Sequence, residues 1–266
     1  MDMKLNAERF TGDEYVNLYH KYRPTPPKEM LHQALNYLDN PGAKRILDLG
    51  CGTGLSTKVW ENLADEIIGL EPSKDMIEIA KQKYHNNQIK FLVGFSNDIP
   101  LSSNSVDIVS CSQSFHWMEP KSTLKEINRV LKDNGILMIY DVIWPPSVNY
   151  EFEKSYNDLF EKIRKLTKKL KEVIAHNWDK NRHLENVHES NYFKFLKETY
   201  FHKTEKLNND QFIGIALSQG GLEALLKRGF SKDEIGISEF IDKINGLKSV
   251  AYNEITYNYR VIYGII

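Results

Sequence analysis

The stretch Arg45-Ile46-Leu47-Asp48-Leu49-Gly50-Cys51-Gly52-Thr53-Gly54 limits what this chain can fold into more than any other. Ile46, Leu47 and Leu49 make a short apolar run of the length of a buried strand. Beyond the glycines, Leu55, Val59 and Leu63 recur at four-residue spacing, which predicts a helix with one apolar face. Strand, glycine turn and helix in that order form a ligand-binding loop. Its glycines reach positive φ and put no Cβ in a ligand's way, and the first amides of the helix point at whatever is bound.

The spacing separates two kinds of ligand. A dinucleotide fingerprint is G-x-G-x-x-G, with the pyrophosphate on the helix N-terminus. Here the pattern is Gly50-x-Gly52-x-Gly54, and Asp48 precedes it. A fixed carboxylate there repels phosphate and suits a ligand with positive charge and hydroxyls. S-adenosylmethionine has that chemistry: a sulfonium, an amino group, a ribose diol and no phosphate. Glu66 to Glu71 reads as the next strand, and Glu71 closes it 21 residues after Gly50, near the offset expected of an acid that takes ribose hydroxyls. One carboxylate can accept from both hydroxyls of a diol.

Asp48-Leu49-Gly50-Cys51-Gly52-Thr53-Gly54 with Glu71-Pro72-Ser73 resembles the class I S-adenosylmethionine-dependent methyltransferases. Asn97-Asp98-Ile99-Pro100-Leu101, Gln113-Ser114-Phe115-His116-Trp117, Arg9-Phe10 and Tyr22-Arg23-Pro24 are similar to a subgroup that includes trans-aconitate and other small-carboxylate methyltransferases. The likeness covers about residues 5 to 145. It implies a Rossmann-like, doubly wound α/β fold with a mostly parallel seven-stranded sheet and an inserted helical substrate lid. It also implies that the N-terminal segment folds over the cofactor, that Met76 lies against the adenine, and that Arg23 meets the methionine carboxylate or an acidic substrate. Related sequences carry Asp or Ser where Phe95 stands and Ala-Glu where Ser96-Asn97 stand, so ring contact by Phe95 and bonds from Ser96, Asn97 or Asp98 would replace them.

With 35 basic and 36 acidic residues and a net charge of −1, no strong field draws in nucleic acid or an anionic membrane. Cys51 and Cys111 fit no paired framework and read as reduced thiols. The N-terminus has no apolar signal region, and no run has the length of a membrane span. The expectation is a cytoplasmic monomer or dimer acting on a small molecule.

Short apolar runs at 45–49, 66–71, 89–93, 106–111 and 135–140, separated by helical patterns or turns, read as βαβ units. Residues 1–146 are expected to hold N-terminal helices and the cofactor-binding core, 147–250 a helical insertion with one core strand, and 251–266 the closing strand. Ser73 or Asp75 caps the helix after the second strand. Pro120 opens another helix, Asn134-Gly135 ends it, and Arg129 on it is solvated. A long amphipathic helix covers 150–175, strand six lies near 198–206, and the segment 211–228 holds one or two helices. Tyr15, Leu18, Tyr19 and Tyr22 share a helical face that packs on the domain, and Ser218-Gln219-Gly220 sits where the subgroup has a polar pocket segment.

The site predicted from these readings has Asp48, Gly50, Cys51, Gly52, Gly54, Glu71, Pro72, Met76, Ser96, Asn97, Gln113 and Arg23 around the cofactor. His116 stands open as a general base near neutral pH or as a structural histidine. The spacing of His176, His183 and His188 matches no zinc template. Two rival readings stay open: a nicotinamide-dependent oxidoreductase, against which Asp48 and the compact glycine spacing argue, and a cofactor-binding protein without turnover.

Overall fold

The computed structural model describes residues 13–38, 42–170, 176–247 and 253–266. Arg9-Phe10, Ile174 and Tyr252 lie outside them. Helices α1 (Asp13–Tyr22) and α2 (Lys28–Tyr37) precede β1 (Ala43–Leu49), α3 (Leu55–Lys58), β2 (Ala64–Glu71), α4 (Lys74–Lys83), β3 (Ile89–Val93), β4 (Val106–Ser112), α5 (Pro120–Val130) and β5 (Leu131–Ser147). There follow α6 (Tyr150–Lys169), α7 (His183–Glu189), β6 (Phe195–Lys206), α8 (Asn209–Leu217), α9 (Gly220–Leu226), α10 (Lys232–Ile235), α11 (Ile237–Gly246) and β7 (Glu254–Ile265).

The strands form one seven-stranded sheet in the order β3-β2-β1-β4-β5-β7-β6. The first five strands run parallel, and β7 is antiparallel to both of its neighbours, so the sheet is mixed. Order reverses between β1 and β4, the switch point where such sheets bind ligands outside the strands' carboxyl ends. The alternation of side chains decides the layers. Ile46, Ile67, Ile108, Ile136 and Met138 point to one face, where α2, α6 and α8–α11 pack. Leu47, Ile68, Val109, Leu137 and Ile139 point to the other, where Leu124 and Ile127 of α5 and Val187 of α7 meet them. Of the helices after Val148, α6 and α8–α11 thus join the core of the sheet's first face, and α7 joins the second.

Three local expectations are corrected. Helix α3 stops at Lys58, and Asn62 at φ 65° turns the chain, so Leu63 reaches the core from a turn. Helix α5 ends at Val130 because Leu131 is already extended and pairs with Val106. Asn134, at φ 61°, and Gly135 instead bend the start of β5. Arg129 is not solvated: it donates to Leu101 O (2.8 Å), Ile99 O (2.9 Å) and the Glu126 carboxylate (2.7 Å), fastening the loop after β3 to α5.

Candidate active site

The glycine loop leaves β1 through Gly50 at φ 75° and Gly52 at φ 53°. A Cβ on Gly50 would stand 2.5 Å from Ser114 Cβ and 2.9 Å from Met118 Cε, so the loop after β4 can close on it only without a side chain. Gly52 faces open space, with Met76 Sδ 3.6 Å from where a Cβ would be. Both glycines line one cavity. Gly54 does not line it; it starts α3, and its missing Cβ makes room for the rings of Phe91 and Tyr84.

Asp48 is placed differently from the expectation. It is 0 % exposed and lines neither this cavity nor its neighbour. Its Oδ2 accepts from Ser56 Oγ (2.6 Å) and Thr57 Oγ1 (2.8 Å), and Oδ1 accepts from Ser110 Oγ (3.0 Å). Burial pushes its carboxyl up, and the three hydroxyls pull it back down. The residue ties β1, the start of α3 and β4 together beneath the loop, and its charge does not face a ligand.

Glu71 is the acid that reaches the cavity. It is 8 % exposed, and Oε2 accepts from the Gly52 amide (3.2 Å) while Oε1 accepts from the Ser73 amide (3.0 Å). Each oxygen keeps a lone pair for a further donor. Burial raises its carboxyl to about 7, against the pull of the two amides and with Asp48 adding to the rise. Ser73, at the N-cap of α4, also receives the Met76 amide, which fixes Pro72 and Met76 in the wall beside Glu71.

The far end of the cavity is closed by Gly94, Phe95 and Ser96 after β3, and the near end by Ser112, Gln113, Ser114, Trp117 and Met118 after β4. Ser96 shares a hydrogen bond with Thr123 (2.8 Å). Asn97 is exposed and outside the wall. Tyr19 of α1 comes over the top, as well as packing on the domain. Met118 was not singled out in the sequence; Ser114 and Trp117 belong to the Gln113-Ser114-Phe115-His116-Trp117 run that was.

A second, smaller cavity shares Tyr19, Gly50, Gly52, Ser112 and Gln113 with the first and adds Arg23 and Cys51. Arg23 Nη2 donates to Ser218 O (3.0 Å) and Gln219 Oε1 (3.0 Å). Its guanidinium carbon lies 4.7 Å from the Tyr19 ring centre and 5.3 Å from that of Trp144. Trp144 Nε1 in turn donates to Gln113 Oε1 (3.2 Å). The segment Ser218-Gln219 and the N-terminal arm therefore meet over the cofactor loop. Burial, first, and the charges of Asp48 and Glu71 keep the Cys51 thiol well above its ordinary range, so it stays protonated.

His116 lies outside both cavity walls. Its ring packs against Trp117, centroids 4.6 Å apart, and Nδ1 is 3.8 Å from Asp141 Oδ1. Among the described residues, no group of three or more His, Cys, Asp and Glu is arranged to hold a metal ion. No helix among them is long and apolar enough to cross a membrane.

Residues 47–139 match the family model described as a methyltransferase domain. An uncharacterized methyltransferase of Mycobacterium tuberculosis (strain H37Rv) is 36% identical over 123 residues, which are 46% of this chain and 48% of that protein. A ubiquinone/menaquinone biosynthesis C-methyltransferase of Campylobacter jejuni (strain RM1221) is 33% identical over 105 residues, 36% of this chain and 44% of that protein. The chain spans about half the length of the curated relatives it matches. Among solved structures, a type II methyltransferase assignment from Anaeromyxobacter dehalogenans superposes with a TM-score of 0.64 at 16% identity, covering 92% of this chain and 97% of that one. A methyltransferase assigned to an antibiotic biosynthesis pathway of Anabaena variabilis gives 0.63 at 17% identity, covering 91% and 98%. These two show the fold. The glycine loop and Glu71 lie within the segment that matches the methyltransferase-domain model.

Proposed function

We propose that the chain is an enzyme that transfers the methyl group of S-adenosylmethionine to a small-molecule acceptor. One observation carries this: Glu71 stands in the wall of the cavity with each oxygen fixed by one backbone amide and a lone pair left on each, beside two glycines that leave the backbone bare. That arrangement fits a ribose diol. Phe95, Met76 and Pro72 offer an apolar bed for a purine, and the matched methyltransferase domain supports the same cofactor. When bound, the cofactor supplies an activated methyl group on a sulfonium.

The protein's part is placement. Gln113, held at φ 49° by its amide bond to Tyr140 O (2.8 Å) and by Trp144, sits where both cavities join. An acceptor atom held there about 3–3.5 Å from the methyl carbon reacts without further activation if it is already electron-rich. The apolar wall excludes water, which favours a step that neutralises charge.

A nicotinamide dinucleotide is the poorer fit, for a reason other than the one expected. Asp48 does not face the ligand. The start of α3, which would seat a pyrophosphate, opens at Gly54, outside the wall, and the acid inside it is Glu71. Calorimetric titration with S-adenosylhomocysteine and with NAD decides between them. Binding of the first alone supports the proposal, and binding of NAD alone overturns it. The carboxylic acid acceptor implied by the resemblance rests on Arg23, whose Nη2 is already given to Ser218 and Gln219. Acids therefore belong in a labelled-methyl screen beside phenols and amines.

A further inference from the structure

Strand β6 (Phe195–Lys206) ends the sheet on the side away from β3. It pairs with β7 along its whole length without a register shift, and it holds neither proline nor glycine. Among the described residues, no backbone bond joins it to anything but β7. The Leu207 amide donates to Asn253 O (2.8 Å), its opposite number in the continued register, while on the other side of β7 the Ile266 amide donates to Gly135 O (3.2 Å). Odd-numbered residues of β6 therefore bond β7. The even-numbered ones, Leu196, Glu198, Tyr200, His202, Thr204 and Lys206, turn their N–H and C=O outward.

Proteins guard such an edge with a short strand, a bulge, a proline or a lysine that would be left without a partner. The first three are missing here, so the charges decide what the edge can take. Lys197 is exposed and pairs with no carboxylate among the described residues. Glu205 stands on the same face of the strand and is half-buried, with Lys203 Nζ 2.7 Å from Oε1. Tyr200, one of the few large hydrophobic side chains left exposed, stands on the other face.

In a regular antiparallel pair of two copies, outward-turned residues must face outward-turned residues, so the two-fold axis passes through one residue and its own copy. An axis at Tyr200 sets Lys197 against Lys203. An axis at His202 sets Glu198 against Lys206 but shortens the ladder to residues 198–206. An axis at Phe201 pairs residues 196–206 of both copies, sets Lys197 against Glu205 twice, sets Tyr200 against His202 twice, and puts no like charges opposite each other. Lys197 and Glu205 then form a pair without mutual backbone bonds, the kind in which side chains come closest.

We propose that β6 is a dimerisation edge, on which a second copy of this chain adds its own β6 antiparallel about Phe201 and continues the sheet across the two-fold axis. The lysine that would guard the edge against other strands is matched by Glu205 of the second copy. The cofactor cavity opens at β1 and β4, three strands from β6, so the pairing leaves it free and does not depend on the methyltransferase reading. A single ladder is a small interface, which predicts a reversible dimer with a Kd of roughly 10–100 µM.

Sedimentation velocity between about 1 and 300 µM at low salt reads the equilibrium, with Tm as the check that each variant is folded. Lys197→Glu and Glu205→Lys should each weaken self-association at least about tenfold, because each sets like charges opposite each other twice. An equimolar mixture of the two should dimerise again near the wild-type Kd, since both pairs are then opposite in sign. Tyr200→Pro, which removes an outward N–H and leaves the β7 ladder its bonds, should abolish the dimer. In the wild type, exchange of the Tyr200 and His202 amides should slow as concentration rises. A chain that stays monomeric at 300 µM overturns the proposal, whether or not another polypeptide or another part of this chain covers the edge. So does a dimer that Lys197→Glu leaves intact, or a mixture that shows no recovery.

Discussion

The Gly52 amide donates to Glu71 Oε2 across 3.2 Å, so the glycine loop and the end of β2 are fastened by the carboxylate that the cavity exposes. The amide is geometrically bound to this job, since Gly52 holds φ 53°. Glu71→Gln keeps the size and removes the double acceptor. Hydrogen bonds to a charged group contribute about 1.5–3 kcal/mol, so S-adenosylhomocysteine affinity should fall roughly 10- to 100-fold in calorimetry, while NAD gains nothing.

The same carboxyl makes both binding and stability depend on pH. Folding raises it from 4.5 to about 7, so between those values the folded chain holds more protons than the unfolded one. Its contribution to stability is therefore full below 4.5 and is lost as pH rises through about 7. The span corresponds to about 3 kcal/mol. Urea unfolding at pH 5 and pH 8 should show Glu71→Gln gaining on the wild type by up to that amount at the higher pH. Ligand hydroxyls need the ionised form, so S-adenosylhomocysteine binding should weaken as pH drops below about 7 and release protons, visible as a buffer-dependent heat.

Asp48 and Glu71 should separate cleanly. Asp48→Ala leaves the hydroxyls of Ser56, Thr57 and Ser110 without their shared acceptor, at a cost of about 2–4 kcal/mol, or a Tm lowered by roughly 5–15 °C. Glu71→Ala should leave Tm at pH 8 unchanged or higher while removing S-adenosylhomocysteine binding. Scanning calorimetry of both variants checks this; a Tm loss in Glu71→Ala larger than in Asp48→Ala would reverse the roles assigned here.

The contrast shows where sequence reading stops. The strands were legible because buried parallel strands read as unbroken apolar runs, and Glu71 was legible because its offset from Gly50 follows from one βαβ unit. Asp48 looked like a ligand contact because Ser110, one of its three donors, is 62 residues away on β4. Nothing local says which way such a carboxylate turns. Arg129 read as solvated for the same reason, its carbonyl partners lying 28 and 30 residues back. Asp141 was missed altogether: Lys180 and His183, which approach it, follow it in the chain only after the whole of α6. Leu63 misled in the opposite sense, since three leucine-like residues at four-residue spacing occur by chance around a turn as short as that at Asn62.

Helix α1 brings Tyr19 over the cavity, and what seats α1 is a missing side chain on α8. A Cβ on Gly214 would stand 2.3 Å from Cγ of the Tyr22 ring, while Tyr15 Oη, from the same helix, donates to Ser218 O (3.2 Å) at the end of α8. Gly214→Ala should force the two helices apart and cost about 1–3 kcal/mol. The loss should go further than stability: with Tyr19 and Arg23 displaced together, S-adenosylhomocysteine affinity should drop several-fold although no cavity residue has changed. Gly246→Ala is the control, because no atom lies within 4 Å of its added Cβ, and it should be neutral or slightly stabilising. Hydrogen exchange of the α1 amides reads the mechanism directly. Faster exchange in Gly214→Ala, slowed again by saturating ligand, is the expected pattern; unchanged exchange with unchanged affinity would show that α1 holds its place without this contact.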